Sequence, residues 1–463
     1  MAPRMSAALC AIALLVTPLV AKAAEPNFDY VDAIVQKAMA KADTPAVSLA
    51  IVQSGKIVYE KAYGYRSLDP KLAATTATTF PIGSVSKQFL AATMVAMARE
   101  GKLSLGDRLS KYDPSYTDAS KITIAQLLSH EAGIRDYYPL DYPTLESFHP
   151  ISMQALADRQ GRLPLDFAPG TRWQYSNSGY TIAGSIAQRI QGAKLFDIYA
   201  RRFFAPLGMT SAHWIDGGFG PTDALGYQSY FFGPNEVAPA AAPEWLNAAG
   251  SLSMTAHDLA LWTIALMEHH VVPAADTAIM WQPRLLADKE NPGYGLGFSL
   301  GAADGHWTVA HGGEVVGYAS FELLFPADDT SIVVFANATP SDTASTIGNA
   351  IVEHLFGSTG SASADAGLPD AASLTRTWLT QLAEGKIDRT ALTADFDAFM
   401  TPQRLAEAAA SLAPLGAPDV ANTRAVLRGG LIVNVLTVTY KTKSLRALLY
   451  RTLDGKIAEL FLL

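Results

Sequence analysis

The 463-residue sequence holds a single cysteine, Cys10, inside the apolar run from Ala7 to Val20. There it reads as one more small apolar residue, and beyond it the chain has no thiol for a disulfide, a metal thiolate or a nucleophile. Charge is sparse too, at 17% of residues, with 43 Asp and Glu against 35 Lys and Arg. No basic stripe is present to hold a nucleic acid, and the acidic balance reads as a means of staying soluble. Metal-ligand spacing is also lacking. His269-His270 has no carboxylate or third histidine placed to complete a site, so neither a metal nor a cofactor is expected. Long apolar runs are missing as well. The Ala7 to Val20 run is interrupted by Pro18 and falls short of the roughly 20 residues a spanning helix needs.

That run is preceded by Arg4 and followed by Ala21-Lys22-Ala23, the charged, apolar and small-residue regions of a secretory signal peptide. Cleavage after about Ala23 is expected, giving a periplasmic or secreted protein with no membrane span. Arg4 and Lys22 leave with residues 1 to 23, so 33 basic residues face 43 acidic ones and the mature net charge is −10.

Apolar residues make up 49% of the chain, ample for a core, and the length exceeds what one core usually carries. Ala46 to Val52 and Lys56 to Tyr59, joined by Ser54-Gly55, read as a β-hairpin. Ser86 to Glu100 reads as a buried helix closed by Gly101, with shorter helical patterns from Ile124 to Ser129 and from Ser178 to Ile190 before Gly192. Strands reappear at Trp307 to Ala310, Tyr318 to Phe325 and Ser331 to Ala336. Strands, then helices, then strands imply an α+β chain, a three-layer α/β/α sandwich. Residues 357–372, rich in Gly, Ser, Ala and Asp, read as a linker. The catalytic unit is thus expected over 24–356 and a small accessory α+β domain over 373–463, with helices near 374–383 and 402–412 and strands near 430–440, 445–450 and 457–463.

Ser84-Val85-Ser86-Lys87 places a hydroxyl at a helix entry, where backbone N–H groups and the helix dipole favour negative charge on an attacked carbonyl oxygen. Lys87 follows on the same helical face. Buried there, it would hold its proton weakly and could take the one from Ser84. Tyr175-Ser176-Asn177 follows the turn Pro169-Gly170-Thr171 and can reach a cleft from a loop. A phenol beside a protonated lysine is pushed toward phenolate, which suits Tyr175 to proton transfer, and Asn177 can accept from the lysine and donate to a substrate carbonyl. His311-Gly312-Gly313 ends a strand-like run, its glycines allowing a substrate backbone close to the strand. A rival nucleophile, Ser299 in Gly297-Phe298-Ser299-Leu300-Gly301, fits the elbow of α/β-hydrolases in letters only, because a turn and a strand follow it instead of a helix.

In order and spacing, Ser84-x-x-Lys87, Tyr175-x-Asn177 and His311-x-Gly313 resemble the family of class C β-lactamases, DD-peptidases and related esterases. Leu127 to Gly133, Ala248 to Leu252 and Tyr294 to Phe298 resemble it too, and the likeness runs over roughly residues 28 to 356. The resemblance implies Ser84 as nucleophile, Lys87 and Tyr175 as the acid and base pair, with the acylating base either of the two. It implies Asn177 as a ligand of substrate and lysine, His311 as the cation or donor of the third motif, and an oxyanion hole from the backbone N–H groups of Ser84 and Glu314. True β-lactamases of this class carry Lys-Thr-Gly where His311 stands, so the resemblance points to an esterase or a peptidase acting on D-residues. The partner is then a small molecule or short peptide, including cell-wall fragments. A true β-lactamase and a penicillin-binding sensor with little turnover are the alternatives.

Overall fold

A computed structural model describes residues 27–138, 144–215, 220–230, 233–303, 305–357, 370–428, 431–452 and 455–463. The expected signal peptide and most of the expected linker lie outside the described residues.

Strand Ala46–Gln53 is buried along nearly its whole length. It sits inside an antiparallel seven-stranded sheet, flanked by Lys56–Leu68 on one side and Thr330–Ala336 on the other. Tyr318–Phe325, His306–Val315 and Ser299–Ala303 follow Thr330–Ala336, and Lys71–Ala73 closes the opposite edge. The period of two divides its side chains between two cores. Val47, Leu49 and Ile51 join Ile332 and Val334 beneath helices Asp29–Ala42 and Thr343–Phe356, which pack on each other. Ala46, Ala50 and Val52 join Val333 and Phe335 in the larger core that holds helix Lys87–Arg99. Helix, sheet and helix make three layers, as the strand and helix order of the sequence implies.

Two local departures from the sequence expectations shape the site. Ser84 does not open the α-helix. It lies in a 3-10 turn, Gly83–Ser86, and the α-helix begins at Lys87. His311 does not end its strand, which runs on through both glycines to Val315, pairing Gly312 with Phe321 and Gly313 with Ser320. Glycine weakens a strand interior, but the ladder to Tyr318–Phe325 carries the chain past both.

Helix Asn177–Gln191 is capped at its start by Ser176, whose Oγ accepts from the Gly179 N–H, and ends at Gly192 with φ +62°. Tyr175 and Asn177 thus flank an N-cap, which fixes their directions relative to a buried helix.

Residues 370–463 have a core of their own, with Trp378, Leu382 and Phe396 beneath one face of an antiparallel four-stranded sheet. Helices Asp370–Ala383 and Pro402–Leu412 pack together in this unit. Strand Asp419–Arg428 and helix Ala394–Phe399 were not legible in the sequence. The strand is an edge, and its alternation is broken up by Asn422, Arg424 and Arg428. Tyr230, from the preceding part of the chain, inserts into this second core, 4.5 Å from the Phe399 ring and 5.8 Å from the Phe461 ring. The other face of the sheet, through Val435, Arg446, Leu448 and the Phe461 that packs on Tyr230, forms one wall of a cleft that also contains Ser84.

Candidate active site

The 3-10 turn at Gly83–Ser86 abuts strand His306–Val315 so closely that neither surface could carry a larger residue. A Cβ on Gly83, at φ +52°, would stand 2.8 Å from the Glu314 nitrogen, and one on Gly313 would stand 2.0 Å from the Ile82 oxygen. Ser320 Oγ donates to that same Ile82 oxygen at 2.9 Å. Backbone therefore meets backbone here, with the N–H groups of Ser84 and Glu314 on facing segments.

Lys87 is fully buried. Its Nζ donates to Ser84 Oγ at 3.0 Å, to Asn177 Oδ1 at 2.7 Å and to the Ala249 carbonyl at 2.8 Å. An ammonium has three donors, so these three acceptors satisfy the charged form. After losing its proton the amine keeps two donors, for Asn177 and Ala249, and turns its lone pair to the Ser84 hydroxyl. The Nζ also lies 4.9 Å from the centre of the Tyr175 ring and 5.4 Å from that of Tyr180. Asn177 turns its amide nitrogen the other way, donating to both oxygens of buried Asp136 at 3.1 and 3.2 Å and to the Tyr138 carbonyl at 3.2 Å.

His311 is buried, and burial together with the charge of Lys87 depresses its pKa to about 4. Its imidazole is neutral at pH 7. Nδ1 donates to the Gly312 carbonyl, which can only accept, and so Nε2 is left to accept from the Tyr294 hydroxyl at 2.9 Å. Of the two roles the resemblance implied, a cation is the one this environment opposes.

Ser84, Tyr175, Asn177, His311, Gly313 and Glu314 all line one cleft of about 1430 Å³, with Lys87 beneath its floor. Four partners of these residues carry no role in the sequence analysis: Asp136, which lies outside every stretch named there, and His130, Tyr294 and the Ala249 carbonyl, which lie in stretches named only for their likeness to the family. The buried His130 accepts from the Ser176 N–H at 3.1 Å through Nδ1, and its ring lies 4.2 Å from that of Tyr175. Ser299 opens strand Ser299–Ala303 with its side chain exposed, without the strand-to-helix turn that an elbow requires. Among the described residues no group of three or more His, Cys, Asp or Glu side chains is placed to hold a metal, and no helix is long and apolar enough to cross a membrane.

Behind His311, on the neighbouring strand, Glu322 is fully buried and accepts from Gln88 Nε2, while Gln88 Oε1 accepts from Trp262 Nε1 at 2.8 Å. Burial pushes the Glu322 carboxyl up to about 8. The folded protein therefore keeps a proton that the unfolded chain releases above the ordinary value of 4.5. Stability falls between those two pH values and levels off above them. Glu322→Gln, neutral throughout, is expected to gain on wild type by up to a few kcal/mol as pH rises from about 5 to 8. Thermal melts of both proteins at pH 5 and pH 8 check this, and an equal gap at the two values would contradict it.

The family profile described as Beta-lactamase matches residues 31–356. Among curated proteins the chain is similar to Protein flp of Staphylococcus aureus strain COL, 27% identical over 324 residues, 66% of this chain and 62% of that protein. It is also similar to the D-aminopeptidase of Brucella ovis, 27% identical over 304 residues, 63% of this chain and 57% of the relative. The chain thus spans less than two thirds of either relative. Among solved structures it resembles the octameric penicillin-binding protein homologue of Pyrococcus abyssi, at TM-score 0.62 and 20% identity, covering 94% of this chain and 98% of that one. At that identity the likeness speaks for the fold.

Proposed function

The chain belongs to the beta-lactamase family, and from that premise we propose that it is an exported serine hydrolase that forms an acyl-enzyme on Ser84. The observation that carries the reading is the buried Lys87, with Nζ 3.0 Å from Ser84 Oγ and two further acceptors holding it in place. Export rests on the leader pattern of residues 1 to 23.

In the first half-reaction the Ser84 proton passes to the Lys87 amine as Oγ bonds to the substrate carbonyl carbon. The negative charge on the carbonyl oxygen falls between the N–H groups of Ser84 and Glu314. The hydroxyl of Tyr175, whose ring centre lies 4.9 Å from Lys87 Nζ, relays a proton to the departing nitrogen or oxygen as its bond to the carbonyl breaks. Water then attacks the ester on Ser84, giving up its proton to Tyr175 or Lys87, and the acid leaves as the serine regains its hydrogen.

The substrate we assign is an amide or ester of a D-amino acid or a short peptide of that kind. A neutral His311 with both ring nitrogens engaged offers no cation for a substrate carboxylate, which favours an amidase, aminopeptidase or esterase over a carboxypeptidase or a β-lactamase. The relative from Brucella ovis, a D-aminopeptidase, supports the same choice. The cleft exceeds the usual upper size of small-molecule pockets, roughly 1,000 Å³, leaving room for more than one residue. The face of the C-terminal sheet that walls it would restrict what enters.

The test is turnover of D-alanine and L-alanine p-nitroanilides, a p-nitrophenyl ester, an N-blocked peptide ending in D-Ala-D-Ala, and nitrocefin. The D-anilide and the ester are expected to turn over fastest, with the L-anilide slower by at least about 10-fold, the size of a modest misfit in a pocket. Fastest turnover of the blocked peptide would overturn the choice and point to Arg446 in the wall as a carboxylate site. Fastest turnover of nitrocefin would make the protein a β-lactamase, and binding of penicillin with no turnover of any substrate would make it a sensor.

A further inference from the structure

Asn177 lies between two groups of opposite sign. Its amide oxygen accepts from the Lys87 ammonium at 2.7 Å, and its amide nitrogen donates to Asp136 Oδ1 and Oδ2 at 3.1 and 3.2 Å. Rotating the amide by half a turn would set its oxygen against the carboxylate and its hydrogens against the ammonium. Both contacts would turn repulsive, so the pair of charges fixes which end of Asn177 faces Lys87.

Asp136 is itself built in. It is 3% exposed, and Oδ1 also accepts from the backbone N–H of Asn177 at 3.1 Å and of Tyr138 at 3.1 Å. A carboxylate that accepts from backbone and side-chain donors at once is held in place. Asn177 links it to Lys87, accepting from the lysine through one end of its amide and donating to the carboxylate through the other.

We propose that Asp136 is a positioning residue for the Ser84 and Lys87 pair, a buried carboxylate that orients the Asn177 amide and, through it, holds the lysine ammonium against Ser84. The inference rests on Ser84 and Lys87 being the reacting pair. Asp136 acts through Asn177, to which its carboxylate is bonded. Its effect is on where Lys87 Nζ sits and on how tightly the lysine keeps its proton, since a nearby negative charge favours the protonated form.

Other groups face this network and stay constant in the test. Around Lys87 they are the Tyr175 and Tyr180 phenols and the imidazole of His311, and His130 and Tyr294 lie behind Tyr175. Around Asp136 they are Tyr137, whose phenol is pushed up by burial and by Asp136, and Arg135, which is paired with Asp166 at 2.8 Å.

The experiment compares pH–rate profiles of Asp136→Asn, Asn177→Ala and the double variant, with Ser84→Ala as reference. Rates are taken per active site, counted by covalent labelling. Asp136→Asn keeps the shape and one acceptor but loses the charge. It is expected to lower kcat by about 10- to 100-fold with KM changed less than about 3-fold, the pattern of a lost positioning contact. Its acid limb should move down by about half a unit, because the lysine gives up its proton more readily. In the Asn177→Ala background the same change at 136 should add little, because the link is already gone. Asp136→Ser serves as the second uncharged variant should the asparagine protein fail to fold, and the expectations are the same. An unshifted acid limb with normal kcat in either variant would overturn the proposal, as would a full additive loss in the double variant. Ser84→Ala separates the two levels. Activity retained there would sink the serine hydrolase reading itself, whereas a dead Ser84→Ala beside a normal Asp136→Asn would sink only the role of Asp136.

Discussion

Lys87→Ala is expected to lower kcat/KM for the best substrate by about 10⁴-fold while leaving the thermal midpoint unchanged or higher. The two halves of that expectation have one origin. Lys87 is fully buried, and its Nζ donates to Ser84 Oγ, Asn177 Oδ1 and the Ala249 carbonyl. Such a group costs desolvation, which these contacts only offset, so removing it relieves the fold while taking away the base. The acceptors left behind lie beside the cleft, where water reaches them at small cost. Lys87→Arg is not expected to rescue the rate, since a guanidinium cannot give up its proton at working pH. Loss of activity together with a collapsed melting transition would instead make Lys87 a structural cation. A loss below about 10-fold with the fold intact would hand the role of base to Tyr175.

Gly313→Ala should cost about 10²- to 10³-fold in kcat, the size of effect found when an oxyanion donor is lost. The added carbon would meet the Ile82 oxygen at 2.0 Å and Ser320 Oγ at 2.4 Å. The first of these is backbone and cannot swing aside. Strand His306–Val315 must then lift from the Gly83–Ser86 turn, and the N–H of Glu314, the next residue, moves with it. Gly312→Ala is the control, because its nearest neighbour would be the Ser320 carbonyl at 3.7 Å, an ordinary contact, and a far smaller loss is expected. Kinetics of the two variants on one substrate, beside their melting curves, check the contrast. Equal losses at both positions would mean that the glycines matter for strand flexibility and not for close approach.

The sequence could place much of the candidate site because the residues proposed to react occupy short motifs at element junctions, which the fold brings to one cleft. Ser84 and Lys87 are three residues apart, and Tyr175 and Asn177 flank a single N-cap serine. Their supports are another matter. Asp136 reaches Asn177 across 41 residues, and Lys87 reaches the Ala249 carbonyl across 162. A lone aspartate in a loop and a backbone carbonyl carry no local signature. Tyr294 lies in a stretch whose likeness to the family was legible, yet its bond to His311 depends on the ladder between the two last strands of the sheet, with Val309 opposite Leu300.

The layers of the fold followed from apolar alternation, but the path of strand His306–Val315 did not. Two glycines suggested an end where sheet pairing imposes continuity. Least legible was the second unit. Its strand-like runs were visible, but not which face would line the cleft. Leu436, Ala447 and Leu460 pack inward, while Val435, Arg446 and Leu448 look onto the cleft that holds Ser84. That assignment depends on how the two units dock through Tyr230, a tertiary fact that alternation cannot encode.

Trapping the acyl-enzyme tests the central claim most directly. The protein is quenched during turnover of a slow D-aminoacyl ester or a penicillin, digested, and the modified peptide located by mass spectrometry. One acyl group on the peptide that contains Ser84, absent from Ser84→Ala, is the result this account predicts. An adduct on Ser299, or an adduct and turnover that survive Ser84→Ala, would contradict it.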